Sequence, residues 1–170
     1  MPPELCFDDA MLSNFSSNLV NLFSCFLSFI NNDEPLLTAN SDQYIDWDSN
    51  EFLYSMEASG IDGGILTFES VHPKWSFVKL NDQGYVSEVA EKKPISNKAT
   101  VGIYYWSKGS DYVKYAKQMI RKNKRVNNEF YVCPVFNEAI EDGKKIKTFD
   151  IEKMWGLGTP EDLEVFLNVT

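Results

Sequence analysis

Strand-length apolar runs alternate with helix-length amphipathic stretches from Asp33 onward, and that rhythm limits the folds open to this chain more than any other feature. "PLLTANSD" is a short buried strand that stops at Asp42. In "DWDSNEFLYSMEASG" Asp48 is placed to cap a helix, with Glu51 three residues on in a capping-box arrangement and Gly60 as the stop. "GGILTFES" is a second strand, and "WSFVKLNDQGYVSEVAEK" alternates around Asn81-Asp82-Gln83-Gly84 as a hairpin does. "TVGIYYWSK" adds a strand, and Ser110 opens a helix with Val113, Ala116, Met119 and Ile120 on its core face. A proline starts "PVFNEAIEDG", "KKIKTFDI" is a late strand, and Thr159-Pro160-Glu161-Asp162 caps a last helix with Leu163, Phe166 and Leu167 inward. Strands alternating with helices plus one hairpin predict an α/β, three-layer domain with a mixed sheet.

At 170 residues the chain has the length of one domain, and 44% hydrophobic content rules out a disordered polymer. A net charge of −9 argues against nucleic acid or an anionic membrane as partner, although a local basic site can still hold a phosphate. Cys6, Cys25 and Cys133 are odd in number and widely spaced, which suits a reducing cytoplasm. "LVNLFSCFLSFI" (19–30) is the most apolar segment, yet a bilayer span needs about 20 residues. The acidic residues ahead of it have the wrong sign for a signal peptide.

Several positions have both a plain and a chemical meaning. Asp42 either caps a turn or, at the carboxyl end of a strand, anchors a divalent cation shared with substrate phosphates. Asp46, Asp48, Asn50 and Glu57 fall at calcium-loop spacing, but Glu51 stands where that loop needs glycine, so capping accounts for them better. In "EVAEKKPISN" Pro94 forces an extended turn. There Lys92 can offer an ammonium to a phosphate and Glu91 can accept from sugar hydroxyls, unless both are simply a solvated hairpin end. The basic run "KQMIRKNKR" suits a helix C-terminus, and the lone His72 has no evident triad or zinc partner.

Taken in order, four stretches resemble the sugar-1-phosphate nucleotidyltransferases: "NSDQYIDWD", "VSEVAEKKPISNKATVGIYYW", "NNEFYVCPVFNEAIEDGKKI" and "MWGLGTPEDLEVFL". The resemblance runs from about Asn31 to the C terminus and implies a Rossmann-like nucleotidyltransferase fold. Residues 1–30 stay unmatched, and 31–170 form a partial domain holding the sugar-phosphate half. The implied reaction joins an NTP and a sugar 1-phosphate into an NDP-sugar and pyrophosphate with Mg²⁺, as in the making of polysaccharide precursors. Carried over residue by residue, Asp42 is the metal ligand, Lys92 contacts the sugar phosphate and Glu91 the sugar hydroxyls. Gly102 lets the sugar approach the backbone, Tyr104 lines its pocket, and Glu129 is a further pocket residue.

Two departures qualify the expectation. Gly156 stands where the family carries a second metal-binding aspartate, which leaves either a single-aspartate site completed by water and phosphate oxygens or a local replacement such as Asp46 or Asp48. The family's Gly-rich GxGxR loop for the NTP is also missing, since no glycine precedes Gly60 and no arginine precedes Arg121. The chain is therefore expected to be N-terminally truncated relative to the family, with a frame-shifted start as one origin, and to turn over poorly by itself. The alternative is a non-catalytic sugar-phosphate-binding or regulatory subunit. Its protein partner would be a second copy or a complete homologue, covering an exposed sheet edge unless 19–30 does so.

Overall fold

The computed structural model describes Leu27 and residues 29–169. Most of the apolar stretch 19–30, and with it Cys6 and Cys25, lies outside the described residues.

The strands are β1 (Leu36–Ala39), β2 (Gln43–Ile45), β3 (Gly63–Glu69), β4 (Ser76–Leu80), β5 (Val86–Glu91), β6 (Lys98–Trp106), β7 (Ile146–Asp150) and β8 (Met154–Gly156). The helices are α1 (Ser49–Ala58), α2 (Gly109–Arg121), α3 (Val135–Glu141) and α4 (Pro160–Val169). Six strands form one sheet in the order β5-β4-β6-β3-β7, with β1 also on β6, while β2 and β8 make a small antiparallel ladder. The β3–β7 pair is parallel and the rest of the main sheet antiparallel, so the expected mixed sheet is present.

Successive residues of β6 point to opposite faces. Tyr104 and Trp106 join α2 and α3 in one core, where Trp106 stacks on Phe136 with ring centroids 4.2 Å apart. Ile103 and Tyr105 face a second core with Phe52 and Met56 of α1. Helices on both faces of a sheet are the three layers anticipated. Asp48 caps α1 as expected, accepting from the backbone N–H of Asn50 and Glu51.

Two details differ from the sequence reading. Tyr112 and Tyr115 are buried on α2, whereas Ile120 is only half-buried. On α4, Leu163 and Leu167 are exposed, and only Phe166 packs, against Tyr44 and Trp155. The reason is that α4 lies over the β2–β8 ladder, which offers a narrow apolar strip instead of a full sheet face.

The edge of β6 opposite β3 is shared between two strands. β1 covers Ile103–Trp106 and β4 pairs at Ala99. Between them, at Gly102, the edge changes partner.

Candidate functional site

Gly102 has φ +88°, a conformation that glycine adopts without strain. A Cβ there would collide with the carboxamide of Asn40, whose backbone N–H donates to the Gly102 carbonyl at 3.1 Å. Gly102 thus lets Asn40 close onto β6, and Asn40's side chain fills the space next to its backbone. This contact fixes the turn that delivers Asp42.

Asp42 lies against the segment Gly156–Gly158. Its carbonyl accepts from the Leu157 N–H at 2.8 Å, and its Oδ2 comes within 2.7 Å of where a Cβ on Gly158 would stand. Beside it, Gln43 pairs with Gly156 in the β2–β8 ladder. A Cβ on Gly156 would face the Trp75 ring at 3.3 Å and Asp162 Oδ2 at 3.6 Å. The space an aspartate side chain at 156 would enter is thus bordered by Trp75 and Asp162. Lys74 Nζ sits 2.9 Å from Asp162 Oδ1, and its hydrogen bond holds that carboxyl below the usual range. Asp48, one of the two replacements considered for the second ligand, spends its carboxylate on the α1 cap.

Glu91 ends β5 and Lys92 follows it. The Ser76 hydroxyl donates to Glu91 Oε2 across the β4–β5 ladder, where the two residues are register partners. Burial raises the Glu91 pKa, more than the Ser76 hydrogen bond and the Lys92 charge lower it. Lys92 holds φ +55°, rare for a side-chain-bearing residue, with its N–H on the Trp75 carbonyl at 3.0 Å. Strain of this type clusters at functional sites. The Lys92 ammonium donates to the Tyr131 hydroxyl at 2.8 Å, which donates to Glu129 Oε2 at 2.6 Å.

Behind Glu91 the polar chain continues inward. Tyr104 is 6% exposed, and its hydroxyl lies 3.1 Å from Thr100 Oγ1. Cys133 is buried beside Tyr104 and Ser76, and burial, with Glu91's charge adding to it, pushes its thiol up to about 12.

The structure therefore brings Glu91, Lys92, Tyr104 and Glu129 into one cluster, and Gly102 and Asp42 into another through Asn40. Trp75 ties them together, with its carbonyl on Lys92 and its ring against Gly156. Sequence reasoning missed Asn40, Trp75, Ser76, Tyr131 and Cys133. Extending the hairpin register outward from Asn81–Gly84 sets Ser76 opposite Val89, and only the irregular pairing beside Leu80 moves its partner to Glu91, so the sequence did not announce that pair. Tyr131 reaches Lys92 over 39 residues of chain, and no local pattern announces that. The basic run ending at Arg125 is in part an internal clamp, with Lys122 and Lys124 both paired to Glu138 and Glu141.

The donor set for a cation is sparse. Among the described residues no three acidic, histidine or cysteine side chains gather as a metal cage. Asp42 makes no ion pair with any described residue, so the arrangement fits a cation carried in by phosphates and touched by one carboxylate, a mode Mg²⁺ accepts.

A mixed α/β sheet with helices on both faces is a three-layer, Rossmann-like fold. More particularly, the chain belongs to the nucleotidyl transferase family, whose model matches residues 9–168. The fold is similar to that of a nucleoside-diphosphate-sugar pyrophosphorylase from Vibrio cholerae RC9. That match has a TM-score of 0.72 at 21% identity, over 89% of this chain and 63% of that one. It is also similar to a protein described as a glucose-1-phosphate thymidylyltransferase from Bacillus anthracis, solved with sucrose. There the TM-score is 0.69 at 16% identity, over 88% and 59% of the two chains. The chain thus spans about three fifths of the length of the solved structures it matches. No curated protein matches it.

Proposed function

We propose that this chain is the acceptor-binding part of a sugar-1-phosphate nucleotidyltransferase. The observation that carries the reading is the pair at the end of β5: a half-buried carboxylate beside a lysine held at positive φ. Lys92 offers its ammonium to the sugar phosphate, leaving the Tyr131 hydroxyl. Glu91 accepts from sugar hydroxyls. Asp42 is placed to touch a Mg²⁺ shared with phosphate oxygens, and such a cation, when bound, supplies neutralising charge as the phosphoryl bond changes. In the complete reaction an oxygen of the sugar phosphate bonds to the α-phosphorus while the α–β bridge breaks and pyrophosphate leaves. These 170 residues contain no GxGxR motif to cradle a triphosphate, so they bind acceptor and turn over little. The setting we assign is the cytoplasm, in the supply of NDP-sugars for polysaccharide; no described helix is long and apolar enough to cross a membrane.

The test is to titrate the chain with glucose 1-phosphate and Mg²⁺ by calorimetry, and to follow pyrophosphate with each NTP. We expect Mg²⁺-dependent binding that is lost in Asp42→Asn, a roughly tenfold weaker complex in Lys92→Ala, and little or no pyrophosphate. Rapid pyrophosphate release would overturn the acceptor-only reading, and binding indifferent to both substitutions would overturn the site.

A second reading, a regulatory subunit paired with a complete homologue, is favoured by β1, which among the described strands pairs only with β6. Light scattering of the mixed proteins checks it: a stable mixed oligomer supports pairing, and separate peaks refute it.

A further inference from the structure

We infer that Ser76 is a positioning residue that aims Glu91 at a hydroxyl-bearing ligand, leaving the carboxylate one free oxygen with which to read it. The inference rests on the proposed function for the identity of that ligand, but the contact itself does not.

Glu91 enters the protein from the end of β5, where Asn137 of α3 clamps the strand. Asn137 accepts from the Val89 N–H and donates to the Val89 carbonyl, both at 2.9 Å. The backbone under Glu91 is therefore fixed, and the direction of its side chain is set by what meets the carboxylate. Ser76 takes Oε2. No described residue donates to Oε1, and this atom is not among the fully buried unpaired ones, so on a half-buried side chain it keeps some access to solvent. A carboxylate with one oxygen tied by a hydroxyl and the other open presents acceptor capacity in a single direction. That geometry suits the O–H groups of a polyol, which donate to a carboxylate oxygen.

The surroundings fit a positioning role. Ser76 is 9% exposed and lies beside the Cys133 thiol, so its hydroxyl has little freedom to leave Glu91 for water. The charged and titratable groups facing Glu91 are Lys92 on its own strand end, Tyr104 on β6 and Cys133 ahead of α3. Tyr104 and Cys133 are held neutral by burial, so among the described residues Lys92 is the charge that acts on Glu91, and its ammonium is drawn toward Tyr131. Ser76 is then the one hydrogen-bond donor to the carboxylate among the described residues, and its removal turns the anion loose in a half-buried place.

Two measurements on the intact chain test this. The first follows Glu91's carboxyl titration by NMR without ligand in wild type, Ser76→Ala and Ser76→Thr. The Ser76 hydrogen bond lowers the Glu91 pKa, so the midpoint is expected to rise in Ser76→Ala and to return toward wild type in Ser76→Thr. The second measures affinity for glucose 1-phosphate and, separately, inorganic phosphate near neutral pH. Ser76→Ala is expected to weaken glucose 1-phosphate about tenfold, a change of about 1.4 kcal/mol, and to leave inorganic phosphate untouched, with Thr restoring the sugar ligand. An unmoved Glu91 midpoint, or equal losses for both ligands, would overturn the assignment of Ser76. A wild-type chain that titrates as expected but binds inorganic phosphate and glucose 1-phosphate equally well would leave the contact standing and remove sugar recognition from the proposed function.

Discussion

Glu138 is a carboxylate in a costly place. Its side chain is fully buried on α3, where a carboxylate survives only if it is paired. Lys122 and Lys124 reach it, the former at 2.6 Å, and both also hold the exposed Glu141 at 2.8 and 2.6 Å. Burial alone would raise the Glu138 pKa, but the two lysine hydrogen bonds and the Lys124 charge outweigh it and lower the value. Replacing Glu138 with Ala leaves two lysines that can rehydrate, since both are about two-fifths exposed. The loss is thus set by the charged hydrogen bonds, about 1–3 kcal/mol, read as a lower urea midpoint with unchanged slope. An unchanged midpoint would show the clamp to be ornamental. Glu138 is legible in the sequence only as one acid on a short helix; its burial depends on α2 lying across it.

Among the elements, α1 is the most readable and α4 the least. The α1 start was visible because Asp-x-x-Glu names a cap that needs no tertiary contact, and Asp48 accepts from Asn50 N–H at 2.8 Å. Asp48→Ala should cost about 1 kcal/mol and Asp48→Asn close to nothing, measured by thermal or urea unfolding. Equal losses from both would point to the negative charge instead of the acceptor oxygen. Packing of α1 was less legible. Gly64 leaves room for Met56, whose sulfur occupies the place a Cβ would take, and nothing in "GGILTF" says which helix comes that close. For α4 the apolar period is real, but Leu163 and Leu167 stay exposed among the described residues because periodicity reports a face without reporting what covers it.

At the scale of the whole molecule, lysine–carboxylate pairs spread over the surface set the response to acid. Glu141, Asp142 and Asp162 are held low by hydrogen bonds from Lys122 and Lys124, Lys114, and Lys74 respectively. Asp62 is lowered too, with burial opposed by the Lys145 N–H and by Lys144. With Glu138, these groups have folded pKa values below their unfolded ones. Their stabilisation is complete above the unfolded carboxylate range and disappears as pH falls through the folded values. Glu91 has the opposite sign: its raised pKa means that protonation in mild acid favours the fold, but it is one group against five. The melting temperature should therefore hold near neutrality and fall below about pH 4. A melting temperature that rises steadily toward acid would reverse the balance.

The sequence by itself determined the layers, the hairpin, the helix caps and the kinship, because each is written in short-range periodicity or in motifs that keep their order. It also named Asp42, Glu91 and Lys92 as candidates, since strand ends and a Pro-bounded turn are local features. Only the tertiary structure decided that β6 shares one edge between β1 and β4, that Asn40 fills the gap at Gly102, and that Ser76 and Tyr131 hold the Glu91–Lys92 pair. Contacts across tens of residues depend on register and on which faces meet, and those follow from burying two apolar cores at once on a single sheet.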